Sequence, residues 1–278
     1  MWFEECGRIL DTAGEKSFVL DKGEGAAVVL LHGSGPGATA GVNWYRNIES
    51  LARNFRVIAP DFAGWGRSEW PADGAYSTRM WVEQVISVLD VLGIPKAHIV
   101  GNSLGARIGL NLASVEPARV GRLILMGGSS PSMGKSPGRS AVYRYEPSLD
   151  HMRSILRDLF AYDPEIVEEA MVERRYADSV RPGAQEEYVK ITEAIVRDTS
   201  PGMFTPDLVR GVKRPTLIIQ GRDDRVVPLR CATELAELID GAELHVFNRC
   251  GHWAQIEHAE RFNALVTDFL NTDPGQTA

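Results

Sequence analysis

Short, continuously apolar segments alternate with longer segments of helical periodicity along most of this chain. A strand buried in a parallel sheet is covered on both faces and forms an unbroken apolar run, whereas a helix repeats its apolar residues every three or four positions. This alternation predicts βαβ units, and therefore an α/β fold with a mostly parallel central sheet flanked by helices. Strands are predicted at 28–31, 57–59, 98–100, 123–126, 216–219 and 243–247, and helices at 81–92, 104–115 and 257–270.

One long segment interrupts the alternation. It begins with a stretch rich in Gly, Pro and Ser and continues with helical patterns, but it contains no run typical of a buried strand. We therefore expect a helical cap (lid) at 131–214, inserted into a core formed by 1–130 and 215–278. The alternative is a set of ordinary peripheral helices. Residues 272–278 are expected to form a polar tail.

Composition excludes several classes of function. The formal net charge of −7 argues against a nucleic-acid-binding protein, which needs clustered Lys and Arg. No apolar run approaches the roughly 20 residues that span a bilayer, and the first residues lack the pattern of a signal peptide. Three widely spaced cysteines (Cys6, Cys231 and Cys250) form neither a disulfide framework nor a metal pair, so we expect a cytoplasmic protein without metal or organic cofactor.

The sequence Gly101-Asn102-Ser103-Leu104-Gly105 directly follows a predicted strand and directly precedes a predicted helix. A serine at such a turn is exposed at the carboxyl edge of the sheet, and the glycines on either side allow the sharp bend. The start of the helix provides free N–H groups that favour a developing oxyanion. The pattern predicts that Ser103 is a nucleophile; an ordinary strand–helix turn with a capping serine is the alternative.

A nucleophilic serine needs a base, and the base needs an acid to orient it. His252 lies in a loop after the last strand, and Asp223 and Asp224 follow the strand 216–219. The resulting order Ser103, Asp224, His252 is the one expected for an α/β-hydrolase. Asp224 is preferred to Asp223 because sequences of this fold place the acid three residues after the glycine.

The chain resembles the meta-cleavage product hydrolases, which hydrolyse carbon–carbon bonds in the degradation of aromatic rings. The resemblance covers nearly the whole length, and its most specific segments are His32-Gly33-Ser34-Gly35-Pro36-Gly37, Asn43-Trp44, Gly101-Asn102-Ser103, Gly221-Arg222-Asp223-Asp224-Arg225 and Gly251-His252-Trp253-Ala254-Gln255. It implies oxyanion N–H groups at Ser34 and Leu104. It also implies that the carboxylate end of a substrate lies among Gly33, Asn43, Asn102, Arg175 and Trp253, with the adjacent Arg174 as the alternative to Arg175.

The implied reaction is cleavage of the C5–C6 bond of a 2-hydroxy-6-oxo-hexa-2,4-dienoate, giving a 2-hydroxypenta-2,4-dienoate and a carboxylic acid. The dienol would first become a 2,6-diketone, and Ser103, activated by His252 and Asp224, would then attack C6 and form an acyl-enzyme. Direct attack by a water molecule that His252 activates is the alternative. The substrate would be a small anionic dienoate, and the protein a homodimer or larger homo-oligomer. An ester or lactone hydrolase with the same triad is one alternative, and a small-molecule receptor without catalysis is another. The chain departs from common family members at Gly41, where an aromatic residue is frequent, and at Ala106, where a second glycine is frequent.

Overall fold

The computed structural model describes residues 6–12, 15–198 and 204–272. Residues 1–5 and 273–278 lie outside this range, so the start of the chain and nearly all of the predicted polar tail are not part of the description. In the described residues one eight-stranded sheet organises the fold, with the strand order β1-β2-β4-β3-β5-β6-β7-β8. The strands are β1 (Gly7–Thr12), β2 (Glu15–Lys22), β3 (Ala27–Leu31), β4 (Arg56–Pro60), β5 (Ala97–Asn102), β6 (Val120–Met126), β7 (Thr216–Gly221) and β8 (Glu243–Phe247).

Strands β3 to β8 pair in parallel, as the apolar runs predict. The sequence did not reveal β1 and β2, which pair with each other, and β2 with β4, in antiparallel register. Strand β1 is largely exposed, and the apolar centre of β2 is short and flanked by charged residues, so neither forms a long apolar run. Since strands β3, β5, β7 and β8 are parallel, the loops after them meet at one edge of the sheet.

Helices cover both faces of the sheet. They are α1 (Ala40–Trp44), α2 (Ile48–Leu51), α3 (Thr78–Val91), α4 (Leu104–Val115), α5 (Pro137–Tyr143), α6 (Leu149–Ser154), α7 (Glu169–Ser179), α8 (Ala184–Asp198), α9 (Pro206–Arg210), α10 (Leu229–Leu238), α11 (Ala254–Glu257) and α12 (Ala259–Asn271). Alternate strand residues enter two separate apolar cores: Val29 and Leu31 pack with α3 and α4, whereas Val28 and Leu30 pack with α2 and α12. This two-sided burial explains why the central strands are continuously apolar.

The described residues between 131 and 214 form helices and no strand. Here α6 continues into a single stretch of π-helix, Ile155–Phe160, a form that is rare and often occurs at functional sites. Its last residue, Phe160, contacts the loop that carries His252. The segment therefore packs over the carboxyl edge of the sheet.

Candidate active site

Ser103 lies in the turn between β5 and α4. Its φ of 55° and ψ of −111° form a strained backbone conformation that a residue with a side chain rarely adopts. An ideal Cβ on Gly101 would lie 2.3 Å from the carbonyl oxygen of Gly105, and one on Gly105 would lie 2.2 Å from that of Leu31. Glycine at both positions lets α4 approach β3 and β5 closely, which holds the Ser103 side chain at the edge of the sheet.

A hydrogen bond joins His252 to Asp224. The His252 Nδ1 to Asp224 Oδ2 distance is 2.7 Å, and both side chains are buried. The other carboxylate oxygen accepts hydrogen bonds from the backbone N–H groups of Val226 and Val227, each at 2.8 Å. In the described structure, Asp223 makes no hydrogen bond to the imidazole of His252. These contacts hold the Asp224 carboxylate in position and orient the imidazole.

Ser103 and His252 line one cavity at the carboxyl edge of the sheet. No hydrogen bond joins their side chains in the described structure, a looseness that is common in hydrolase sites without a ligand. The backbone N–H of His252 donates to the carbonyl of Phe160 at 2.7 Å. The ring also packs directly against Gly127, where an ideal Cβ would lie 3.0 Å from Cε1.

The backbone on the other side of Ser103 comes from the loop after β3. An ideal Cβ on Gly33 would lie 3.4 Å from Ser103 Cβ, so this loop and the turn are in close contact. Ser34 and Leu104 both line the cavity. Neither of their N–H groups donates a hydrogen bond to another described residue. The cavity that contains Ser103 is therefore lined by two residues whose backbone N–H groups are not used elsewhere in the described structure.

Arg175, in α7, is only 2% exposed and also lines the cavity. Its Nε donates to the carbonyl of Pro36 at 3.0 Å, and no ion pair joins it to a described carboxylate. The centre of the guanidinium lies 5.5 Å from the ring of Trp253 and 6.0 Å from that of Phe160. Burial lowers its pKa to about 10, so the side chain remains a cation at neutral pH. A buried, unpaired guanidinium favours an anionic ligand with two oxygens.

Two buried amides lack partners in the same cavity. Asn102 is 1% exposed, and neither Oδ1 nor Nδ2 has a hydrogen-bond partner; Nδ2 of Asn43, which is 3% exposed, also has none. Unsatisfied buried polar groups are rare in proteins, and in a cavity they are the groups that a ligand would satisfy. The structure thus brings together in one cavity every residue that the sequence predicts for the site except Asp224, which contacts the site through His252.

The cavity also contains residues that the sequence did not indicate: Arg107, Ser129, Arg139, Val142, Tyr143, Phe160, Ile195, Val226 and Val227. Four of them, Val142, Tyr143, Phe160 and Ile195, have positions that only the packing of 131–214 decides. Only Arg107 could have been recognised from the sequence as a candidate site residue. It is the single charged residue of the predicted helix 104–115. Charged residues are almost never fully buried without a partner.

His32, the first residue of the glycine-rich loop, has a structural role. Its Nδ1 contacts the carbonyl of Gly33 at 2.7 Å, and its Nε2 accepts a hydrogen bond from the N–H of Phe62 at 2.9 Å. This pair of contacts requires the neutral tautomer that carries its proton on Nδ1. Burial lowers the pKa of His32 to about 4. The ring therefore braces the loop that carries Ser34.

Within the described ranges no cluster of His, Cys, Asp and Glu has the arrangement of a metal site. None of the described helices is long and apolar enough to cross a membrane.

Comparison with known proteins shows which family and fold this chain resembles. A family model described as the alpha/beta hydrolase fold matches residues 26–259. The 2-hydroxymuconate semialdehyde hydrolase of Pseudomonas sp. strain CF600 is 44% identical over 267 residues, which are 96% of this chain and 94% of that protein. The 2-hydroxy-6-oxo-2,4-heptadienoate hydrolase of Pseudomonas putida strain F1 is 42% identical, and the match covers 96% of each chain.

A solved structure has the same fold over nearly its full length. The meta-cleavage product hydrolase from Pseudomonas fluorescens IP01, solved as a mutant complexed with acetates, superimposes with a TM-score of 0.91 at 42% identity. The match covers 96% of this chain and 98% of that one.

Proposed function

Because the chain belongs to the meta-cleavage product hydrolases, a family of the α/β-hydrolase fold, we propose that it hydrolyses the C5–C6 bond of a 2-hydroxy-6-oxo-hexa-2,4-dienoate-type ring-fission product. The observation that carries this proposal is the buried, unpaired Arg175 in the cavity that also contains Ser103 and His252. A hydrolase for neutral esters has no need of such a cation. A dienoate has a carboxylate that matches it.

The first proposed step is ketonisation of the dienol. Arg175 binds the C1 carboxylate, and the free amide groups of Asn43 and Asn102 hydrogen-bond to the oxygens at C1 and C2. Trp253 and the backbone at Gly33 confine this end of the substrate. The enol proton leaves the 2-hydroxyl and a proton is added at C5, so that the 2,6-diketone has an electron sink for the bond that breaks later.

The second proposed step is attack at C6. Ser103 Oγ adds to the C6 carbonyl while His252 takes its proton, and Asp224 stabilises the imidazolium. The N–H groups of Ser34 and Leu104 stabilise the resulting oxyanion. When the tetrahedral adduct collapses, the C5–C6 bond breaks, the electron pair moves to the dienolate and His252 returns the proton. Water then hydrolyses the acyl-enzyme and releases the carboxylic acid.

This proposal is tested by the loss of colour of yellow ring-fission products. The wild-type protein should bleach them, and Ser103→Ala should lower kcat by at least about three orders of magnitude because the nucleophile is absent. The variant should still bind the substrate, since Arg175 and the two asparagines are retained. Near-wild-type turnover by Ser103→Ala would remove Ser103 from this role. If no dienoate is bleached but simple esters are hydrolysed, the ester-hydrolase alternative is correct instead.

We also propose a cytoplasmic location and a homodimeric or larger assembly. The location is supported by the buried thiols of Cys231 and Cys250, which suit a reducing compartment. The assembly rests on the resemblance to the family alone. Light scattering on the purified protein tests it, and a monomeric mass at working concentration contradicts it.

A further inference from the structure

A second buried cation lies in the same cavity. Arg107 is four residues after Ser103 in α4, so both residues are on the same face of the helix, about 6 Å apart along its axis. Arg107 is 3% exposed and lines the cavity. Its Nη1 donates to the carbonyl of Ile195 at 3.3 Å, but Nε and Nη2 have no hydrogen-bond partner.

No described carboxylate neutralises Arg107. Two acidic groups, Tyr143 and Asp198, act on it electrostatically, but the Asp198 carboxylate already has other partners: Oδ2 accepts hydrogen bonds from the backbone and side chain of Thr78, and Oδ1 pairs with Arg197. Burial lowers the pKa of Arg107, and the positive charge of Arg139 lowers it further. A guanidinium nevertheless stays charged at neutral pH, so this is a buried cation whose hydrogen bonds are incomplete. Such a group is costly unless a partner binds to it.

Arg139 brings a second guanidinium to this part of the cavity. Its hydrogen bonds go to the carbonyl of Gly134 and to Met133 Sδ, and it forms no ion pair with a described carboxylate. The positive charge of Arg139 acts on Arg107, whereas the charges that act most on Arg175 are those of Tyr188, Asp178 and Tyr145. The cavity thus contains two buried cations from different helices, Arg175 in α7 and Arg107 in α4, and Arg107 lies one helical turn after Ser103.

We propose that Arg107, assisted by Arg139, binds a second anionic group of the substrate, at the end of the substituent carried on C6. The substrate would then be a dianion: its C1 carboxylate lies at Arg175, and a carboxyalkyl group extends from C6 to Arg107. This inference rests on the proposed function. It assigns a role to cavity residues that the C1 end of a dienoate leaves unsatisfied.

Kinetics with matched substrates test the proposal. Three ring-fission products are compared, which carry at C6 a methyl, a 2-carboxyethyl or a 3-methylbutyl group; the last two have the same shape, but only one is charged. The wild-type kcat/KM should be roughly ten- to hundredfold higher for the carboxyethyl than for the 3-methylbutyl compound, the value of a hydrogen bond to a charged group. The preference should fall at high salt, although less steeply than for an exposed pair.

Substitution of Arg107 tests whether this residue causes the preference for the carboxyethyl compound. In Arg107→Met the ratio of kcat/KM between the carboxyethyl and 3-methylbutyl compounds should fall to about one, and Arg107→Lys should restore part of it. Arg139→Met should reduce the ratio less, because Arg139 is only partly buried. An equal loss on all three substrates in Arg107→Met would mean that Arg107 only supports the packing of α8, which overturns the proposal.

The comparison of the three substrates with the wild-type protein does not depend on whether a variant folds. If the wild-type protein cleaves the 3-methylbutyl compound as well as the carboxyethyl compound, the second anion site is refuted while the proposed function stands. If it cleaves none of the three compounds, the proposed function itself fails.

Discussion

Arg175 carries a charge and is nevertheless buried, although burial of an unpaired charge costs free energy. The side chain is almost inaccessible to solvent, yet its Nε donates a hydrogen bond only to a backbone carbonyl and no described carboxylate neutralises it. The neighbouring Arg174 has the opposite character, since it is partly exposed and pairs with Asp178 at 3.2 Å. The sequence could not separate the two arginines, because adjacent positions on a helix differ only in the direction they face.

This difference predicts the outcome of a matched pair of substitutions. Arg175→Met should lower kcat/KM for a dienoate by roughly one to two orders of magnitude, because a charged hydrogen-bonding partner for the carboxylate is lost. Arg174→Met is the control and should have little effect. Steady-state kinetics on a dienoate and on a neutral p-nitrophenyl ester check this. Equal losses on both substrates in Arg175→Met would argue against a carboxylate-binding role.

His32 predicts a pH dependence of stability. Its pKa in the folded protein is about 4, below the ordinary value of 6.5, so at pH below 6.5 the unfolded chain binds a proton that the folded protein does not. The contribution of His32 to the free energy of unfolding is therefore complete above pH 6.5 and is lost as pH falls towards 4, by at most about 1.4 kcal/mol per pH unit. Asp61, whose pKa burial raises to about 6, acts in the opposite direction in this range.

Comparison with His32→Gln isolates the contribution of His32 to the pH dependence of stability. Glutamine can donate to the Gly33 carbonyl and accept from the Phe62 N–H as the neutral ring does, but it does not titrate. Urea unfolding at pH 7.5, 6 and 5 should show that the wild-type protein loses more stability on acidification than the variant. Parallel curves for the two proteins would contradict the assignment of a depressed pKa to His32.

At the scale of elements, the contact of α4 with β3 and β5 sets the position of the nucleophile turn. Gly105 lies where α4 touches the backbone of Leu31, and the preceding Ser103 adopts a positive φ. The strain in this turn is maintained only because the strands and the helix on either side are well packed. The next residue, Ala106, is buried in the core on the same helix.

Gly105→Ala should therefore disrupt the contact between α4 and β3. The new methyl group would lie 2.2 Å from a backbone oxygen that cannot move away alone, so we expect the free energy of unfolding to fall by at least about 2 kcal/mol. Gly128→Ala is the control, because its Cβ would meet only the side chains of Ala106, at 3.2 Å, and Leu235, at 3.7 Å. Urea denaturation measures both, and equal midpoints would show that the turn tolerates the change.

At the scale of the molecule, the segment 131–214 and the core share the cavity. We propose that this segment acts as a lid, with the core formed by the rest of the chain. Glu257 provides one connection: it accepts hydrogen bonds from the N–H of Tyr162 at 2.7 Å and from the N–H of Gly251 at 2.8 Å. It thus ties the end of the π-helical stretch to the loop that carries His252.

Glu257→Gln should loosen this connection. The glutamine amide offers one acceptor oxygen and turns an N–H group towards the second donor, so one of the two bonds is lost. Hydrogen–deuterium exchange should become faster at 160–162 and 251–252, and kcat/KM should fall because His252 is less well held. Glu260→Gln, on the exposed surface of α12, is the control. Unchanged exchange in both segments would show that Glu257 does not tie the lid to the core.

Much of the fold could be predicted from local patterns. The central strands form continuous apolar runs because both of their faces are buried, and the helix 104–115 was predicted with its observed bounds. Strands β1 and β2 were missed because partial exposure leaves their sequences without a distinctive period. The last helix was predicted as one element from residue 257, whereas the chain forms α11 and then α12.

By itself, the sequence determined the central parallel strands and the loops that would meet at one edge of the sheet, because strand patterns and turn residues are local properties. Tertiary structure alone placed Arg107 in the cavity. It also showed that Arg175 is buried and that Asp224 contacts His252, two choices for which the resemblance supplied only a preference. These depend on distances between segments far apart in the chain, and such distances are set by packing, which no local pattern encodes.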